Sequence, residues 1–217
     1  MKHNYFTYWL WFPTVLLLGL LGCVGTHKAD AALGGTKVNG VWLQYQNAAT
    51  IVQDCDTDSI EILGGTLSLD LHGTPEPGVN LQVSYMEYLP GDATIYLENG
   101  KISSGSKSGK PVAINSITGS IPEGLSLAVN NGTGKAKLTA LKGNQSVSIN
   151  IGTGSIDVID SRFNSLFVKT GTGSVGLKNS SVHAVTFKAG TGNMSMKNST
   201  ISHRDFSIGT GRIIEEN

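Results

Sequence analysis

Gly152-Thr153-Gly154-Ser155-Ile156-Asp157-Val158-Ile159-Asp160-Ser161-Arg162-Phe163-Asn164-Ser165-Leu166-Phe167-Val168-Lys169-Thr170 is followed at once by its own pattern again, starting Gly171-Thr172-Gly173-Ser174-Val175-Gly176-Leu177. Gly-Thr-Gly begins at 132, 152, 171, 190 and 209, with spacings of 20, 19, 19 and 19 residues. A fixed short period marks a repeat architecture. Inside each unit two apolar residues alternate just after the tripeptide: Ile156 and Val158, Val175 and Leu177, Met194 and Met196. A polar corner follows at Asp160-Ser161, Asn179-Ser180 and Asn198-Ser199. Then come Phe163, Val182 and Ile201, and a second alternating pair, Leu166 and Val168 or Val185 and Phe187. The fourth unit keeps Phe206 but carries Arg204 at the other position.

Period-two alternation is the signature of a strand with one apolar face. One turn of 19 or 20 residues cannot bury that face alone. Stacking equivalent strands about 4.8 Å apart turns the apolar positions into continuous columns. The sequence therefore predicts an all-β chain: a single-stranded right-handed β-solenoid, a parallel β-helix-like stack. Glycine on both sides of the threonine would permit positive φ at a tight corner. The threonines would stack as a hydroxyl column. Asp160, Asn179 and Asn198 would stack as another, bonding nearby backbone.

The run Ile121-Pro122-Glu123-Gly124-Leu125-Ser126-Leu127-Ala128-Val129, followed by NNGTGKAKLTAL and the Gly-Thr-Gly units, resembles a bacterial family named as putative adhesins and formally of unknown function. The resemblance runs from about Ile60 to Ile214 and is most specific from Ile121 onward. It implies a β-solenoid on the cell envelope and no defined ligand, because fold does not establish function.

Outward from the repeats the chain divides into four parts. Residues 121–217 are the regular units. Residues 37–120 alternate less regularly, as at Leu67, Leu69, Leu71 and at Leu81, Val83, Tyr85. They read as irregular β turns with an N-terminal cap, since open stacks expose strand edges. A separate small β domain is the alternative. Residues 23–36 are small and polar and read as a flexible tether. Residues 1–22 combine Lys2, an apolar core and small residues at the end, the marks of a secretory signal. Leu20-Leu21-Gly22-Cys23 resembles the bacterial lipobox, which implies lipidation of Cys23 and cleavage before it. An uncleaved anchor helix is the rival reading. Only Cys23 and Cys55 are present. A lipidated Cys23 leaves Cys55 as a small apolar residue without an intrachain partner; the competing reading is a Cys23–Cys55 disulfide without lipid.

Composition agrees with short strands and turns. Charged residues are only 15% and glycine reaches 28 residues, with no amphipathic helical period. Several motifs resolve into the repeat. Gly171 to Gly176 spells a dinucleotide fingerprint, but a strand follows where a helix is required. The stretch SSGSKSGKP lacks the glycine and Ser/Thr of a phosphate loop and reads as a flexible loop. Asp54, Asp56 and Asp58 alternate like the start of a calcium loop without its glycine and closing glutamate. Asp157 has Lys137, Gly176, Ser195 and Ile214 as its equivalents, so no calcium ladder follows. The repeats hold only Asp157, Asp160, Asp205, His183 and His203 as internal titratable candidates, and none recurs on an adjacent turn. These features predict no catalytic residues, no metal and no cofactor.

Charge is unevenly distributed. Residues 24–131 hold 5 Lys and 11 Asp+Glu, a balance of −6; residues 132–217 hold 10 Lys+Arg and 5 Asp+Glu, a balance of +5. Lys169 and Lys188 are equivalent, as are Lys178 and Lys197. Stacked lysines concentrate positive potential and favour a polyanion; the plainer reading is solubility decoration. The expected partners are the membrane, through the lipid, and an acidic glycan, lipopolysaccharide or envelope protein, with no nucleic acid. The localisation expected is the cell envelope, at the outer membrane in a Gram-negative organism. The leading function is a non-catalytic, adhesin-like interaction module. A structural or sensing lipoprotein without external ligand is the alternative, and a carbohydrate-active solenoid enzyme a third.

Overall fold

A computed structural model describes residues 30–216, with side chains from residue 35. The expected leader, Cys23 with its expected lipidation, and the first part of the expected tether lie outside the described residues.

The described chain is all β and forms a solenoid of parallel strands. Four long strands and one divided turn carry it: β3 (Ser59–Thr74), β8 (Ser126–Thr139), β9 (Ser146–Ile159), β10 (Arg162–Lys178), and β11 (Ser181–Thr191) with β12 (Met194–Lys197). A last turn follows, β13 (Thr200–Thr210) and β14 (Ile213–Glu216). Pairing is parallel and in register throughout. Thr66 lies on Thr133, Thr133 on Thr153, Thr153 on Thr172, Thr172 on Thr191 and Thr191 on Thr210. Each strand bends at Gly-Thr-Gly. In β9 the buried side chains are Val147, Ile149 and Ile151, then Ile156 and Val158. The five-residue step across the bend breaks the period of two and turns the second segment's apolar face back onto the same core. The sheet thus wraps into two flanks, one before the bend and one after it.

Columns of buried apolar residues run down the stack. One passes from Ile60 through Leu127, Val147 and Leu166 to Val185; another from Leu69 through Ala136, Ile156 and Val175 to Met194. Each fully buried Val, Leu or Ile contributes on the order of 1.5–3 kcal/mol through removal from water. In the last turn two inward positions become charged. Arg204 lies on Val185 and Glu215 on Met196, and the two form an ion pair.

The N-terminal region covers the other end by a different topology. β1 (Asp30–Val38), β2 (Val41–Gln53), β4 (Val79–Glu87) and β7 (Ala113–Pro122) pair antiparallel in the order β1-β2-β4-β7. β5 (Ala93–Glu98) and β6 (Lys101–Ser106) form an antiparallel hairpin. β7 then pairs in parallel with the second half of β3, from Ser68↔Ser116 to Thr74↔Pro122. β3 therefore lies between β7 and β8. The chain leaves the stack at Thr74, builds β4 to β7 on one side of β3, and re-enters on its other side at Ser126.

Three expectations change here. Ser59–Thr74 is a full member of the regular stack, with Gly65-Thr66-Leu67 aligned on the Gly-Thr-Gly bend of β8. β1 begins at Asp30, inside the stretch read as a tether, because the Asn39-Gly40 turn folds it back onto β2. Both turn residues have positive φ (48° and 82°), the geometry of a two-residue hairpin turn. The stretch 103–111, read as a flexible loop, begins inside β6, which the Asn99-Gly100 turn (φ 50° and 73°) joins to β5.

Candidate functional site

The corner after each second flank is the most densely bonded feature of the solenoid surface. Asp160, Asn179 and Asn198 all adopt the left-handed conformation, with φ of 51°, 51° and 48°. Asx residues tolerate that region best among non-glycine residues. Their side chains link turn to turn: Asn179 Nδ2 donates to Asp160 Oδ1 at 2.9 Å, and Asn198 Nδ2 to Asn179 Oδ1 at 3.3 Å.

A serine ladder runs behind them. The backbone N–H groups of Leu141, Ser161 and Ser180 donate to the hydroxyls of Ser161, Ser180 and Ser199 one turn on, at 3.1, 3.2 and 3.1 Å. Each hydroxyl donates in turn to the carbonyl two residues before it, at 2.7, 2.8 and 2.9 Å. The ladder satisfies buried backbone donors that the tight corner leaves without strand partners.

The second glycine of the bend has positive φ at Gly134, Gly154 and Gly211 (151°, 157° and 151°), and the bend glycines meet a second need as well. A Cβ on Gly152 or Gly171 would stand 2.6 or 2.7 Å from the carbonyl oxygen of the equivalent glycine one turn earlier. On Gly154 or Gly173 it would overlap that oxygen outright. The bend stacks backbone directly on backbone, which only glycine permits. The threonines between them form an exposed column.

All four lysines singled out by their spacing are exposed. Lys169 pairs in register with Lys188 on the flank before the bend, and Lys178 with Lys197 at the end of the flank after it. They make two separate columns rather than one row. Lys188 lies 4.0 Å from Asp205 and Lys197 3.3 Å from Glu216. Among the described residues, Lys169 and Lys178 have no carboxylate within 4.0 Å.

A shallow groove of about 580 Å³ runs along the Asp160-Asn179-Asn198 ladder, with Lys142, Arg162 and Thr200 in its lining. Lys142 and Arg162 are bridged in parallel, and Lys142 lies 3.7 Å from Glu123. Spacing alone did not single out this pair, because Lys142 and Arg162 have Ser181 and Thr200 as their equivalents on the next turns. The signal available was local: each follows a corner by one or two residues.

Elsewhere the titratable groups are dispersed. His183 and His203 stack edge to face with ring centroids 4.7 Å apart. Asp157 is exposed on the second flank, opposite Lys137 and Gly176. Among the described residues no three His, Cys, Asp or Glu side chains converge on one point. Cys55 is a free, half-buried thiol packed against the core. Burial, then Asp56 and Asp54, pushes its pKa up. In the N-terminal region Asp92 accepts bonds from the Ser108 hydroxyl (2.6 Å), the Ser108 amide (2.8 Å) and the Ser106 hydroxyl (3.1 Å). The Ser108 hydroxyl bond above all holds the Asp92 carboxyl below its usual pKa, against its desolvation.

No family model and no curated protein matches the chain. Solved structures do. A "putative cell adhesion protein" from Clostridium sporogenes is similar over 79% of this chain and all of its own, at 14% identity and a TM-score of 0.41. A "putative adhesin" from Bacteroides fragilis is similar over 77% of this chain and 97% of its own, at 10% identity and 0.27. Another, from Parabacteroides distasonis, is similar over 78% and 97%, at 12% identity and 0.29.

Proposed function

We propose that this chain is a non-catalytic, adhesin-like interaction module of the cell envelope, held by lipid on Cys23, whose solenoid surface binds an acidic polymer. The observation that carries the reading is the in-register pairing of exposed lysines, Lys169 with Lys188 and Lys178 with Lys197. A parallel sheet places such residues about 4.8 Å apart. Like charges so close raise the local potential without helping the fold, which favours a ligand of opposite sign. An acidic glycan or lipopolysaccharide is the natural partner in an envelope.

Binding through exposed cations weakens with salt, because screening acts within about 10 Å at 0.1 M. The test is binding of the full-length protein to acidic polymers at rising salt, for wild type and for the Lys169→Gln, Lys178→Gln, Lys188→Gln, Lys197→Gln quadruple variant. Lost binding with an unchanged melting temperature supports the reading. Salt-insensitive binding, or no binding by wild type, ends it. Separately, Cys23→Ser should release the protein from membranes or leave it unprocessed; full membrane retention with normal cleavage would remove the lipid from the proposal.

A further inference from the structure

Two basic residues, Lys142 and Arg162, lie in the lining of the corner groove. Two more, Lys178 and Lys197, immediately precede its lining residues Asn179 and Asn198 in the chain and pair with each other in register. We propose that this groove binds a linear acidic polysaccharide, a chain of uronate type lying along the stack axis. The proposal rests on the acidic-polymer reading above and narrows it to one corner and one ligand class.

Three features favour a sugar chain over a simple polyanion. First, the floor is made of neutral amides and hydroxyls as well as charges. Asn179 is exposed and spends one amide hydrogen on Asp160 and its oxygen on Asn198, which leaves its second N–H for a sugar hydroxyl. Second, equivalent rungs recur about every 4.8 Å, close to the advance of one sugar in an extended pyranose chain. Asn179 and Asn198 therefore offer the same donor to two successive sugars. Third, the groove is concave, whereas Lys169 and Lys188 stand on open strand surface beside exposed Phe167. Asp160 is the one carboxylate in the groove lining. Glu123 and Glu216 offset Lys142 and Lys197 from outside it. Arg162 and Lys178 are left without a carboxylate within 4.0 Å among the described residues, and they are assigned to the uronate carboxylates.

The presence of Asp160 permits a test that gains binding. Asn occupies the equivalent position in the next two turns, in the same backbone conformation, so Asp160→Asn preserves the corner and removes a repulsive charge. With full-length protein and polygalacturonate as the probe, Asp160→Asn should tighten binding about two- to fivefold, the size of one exposed charge interaction. The Arg162→Gln, Lys178→Gln pair should weaken it about tenfold or more, as loss of charge-assisted hydrogen bonds does. The Lys169→Gln, Lys188→Gln pair should weaken it far less than the Arg162, Lys178 pair does. The Asn179→Gly, Asn198→Gly pair keeps the left-handed corner available and should weaken polygalacturonate binding while sparing poly-L-glutamate. If Asp160→Asn does not tighten binding, or if the Lys169 and Lys188 pair carries it, the groove is not the site and the broader reading survives. If poly-L-glutamate binds as well as polygalacturonate and both ignore the Asn pair, the ligand is not a glycan. If wild type binds no acidic polymer, the broader reading itself has failed.

Discussion

From Ser126 onward every strand lies parallel to the strand one turn before it. Between Asp30 and Pro122 most neighbours run antiparallel, and a hairpin stands where the next turn would be. Both regions pack into the same apolar core. The difference lies in how backbone meets backbone. In the repeats, equivalent glycines stack carbonyl under Cα at every bend, and serine hydroxyls tie corner to corner. In the N-terminal region the bonds are particular to their site. Glu87, fully buried, accepts from Asn47 Nδ2 and the amides of Gly91 and Ala93 at 3.1, 2.9 and 2.8 Å. A stack repeats one solution; a cap needs a different one for each strand. β3 belongs to both, since one edge pairs with a repeat and the other with the cap.

The comparison can be broken first at the shared core. Val175 is 1% exposed, so Val175→Asp places an unpaired charge among apolar columns and should cost about 3–5 kcal/mol. Lys178→Asp, three residues on and outward, should stay within about 0.5 kcal/mol. Thermal melts of the two variants decide this. Equal losses would mean that the inward and outward faces are assigned wrongly.

The bend glycines give the next effect. A Cβ on Gly173 meets the carbonyl of Gly154, while one on Gly65 meets nothing within 4 Å. Gly173→Ala should therefore cost about 1–3 kcal/mol by overpacking. Gly65→Ala, at the aligned bend of β3, should change stability by no more than about 0.5 kcal/mol. β3 is where the two topologies meet, and a strong penalty at Gly65 would show that its bend is stacked as tightly as the later ones. Denaturant midpoints measure both.

The regular turns were legible because alternation and period coincide there. Ile156 and Val158, Val175 and Leu177, Met194 and Met196 are all buried where the pattern put them. The reason for the glycines was only partly legible, because close approach between turns is a tertiary fact. A further apolar column, with Ile151 and Ala189, was hidden by Asn131 and Thr170 in the same positions. The turn formed by β3 was legible only as an irregular one, for a topological reason: Thr66 pairs with Thr133 across an inserted β4–β7, so the period is lost in the chain although it is kept in space. The two Asn-Gly turns carry a plain hairpin signal that lies outside the 19-residue period. At the groove, the lysine spacing pointed to Lys178 and Lys197, while Lys142 and Arg162 emerge only when adjacent corners are stacked.

A smaller effect separates the two regions in acid. Asp92 has a depressed folded pKa, so its contribution is present above the unfolded value of about 3.9 and is lost as pH falls through the folded value. The Ser106–Ser108 segment should loosen in that window while the repeat strands remain closed. Hydrogen exchange at the Ser108 amide reads it, and Asp92→Asn should show the loosened state at neutral pH. Simultaneous opening of the repeats would mean that the loop is not an independent unit.

The smallest expected effect lies at the seam, where Cys55 joins β2 to β3. The thiolate is the reactive form, and burial raises the Cys55 pKa more than Asp56 or Asp54 does. Alkylation at neutral pH should therefore be slow in the folded protein and much faster in denaturant, which removes the larger cause. Asp56→Asn removes only a lesser one and should speed the folded reaction modestly. The Cys55 peptide, followed by mass spectrometry after timed iodoacetamide treatment, distinguishes the two causes. A folded Asp56→Asn variant that reacts as fast as denatured wild type would make charge the controlling factor. The connection from β2 to β3 would then be open to solvent, rather than closed against the core that cap and stack share.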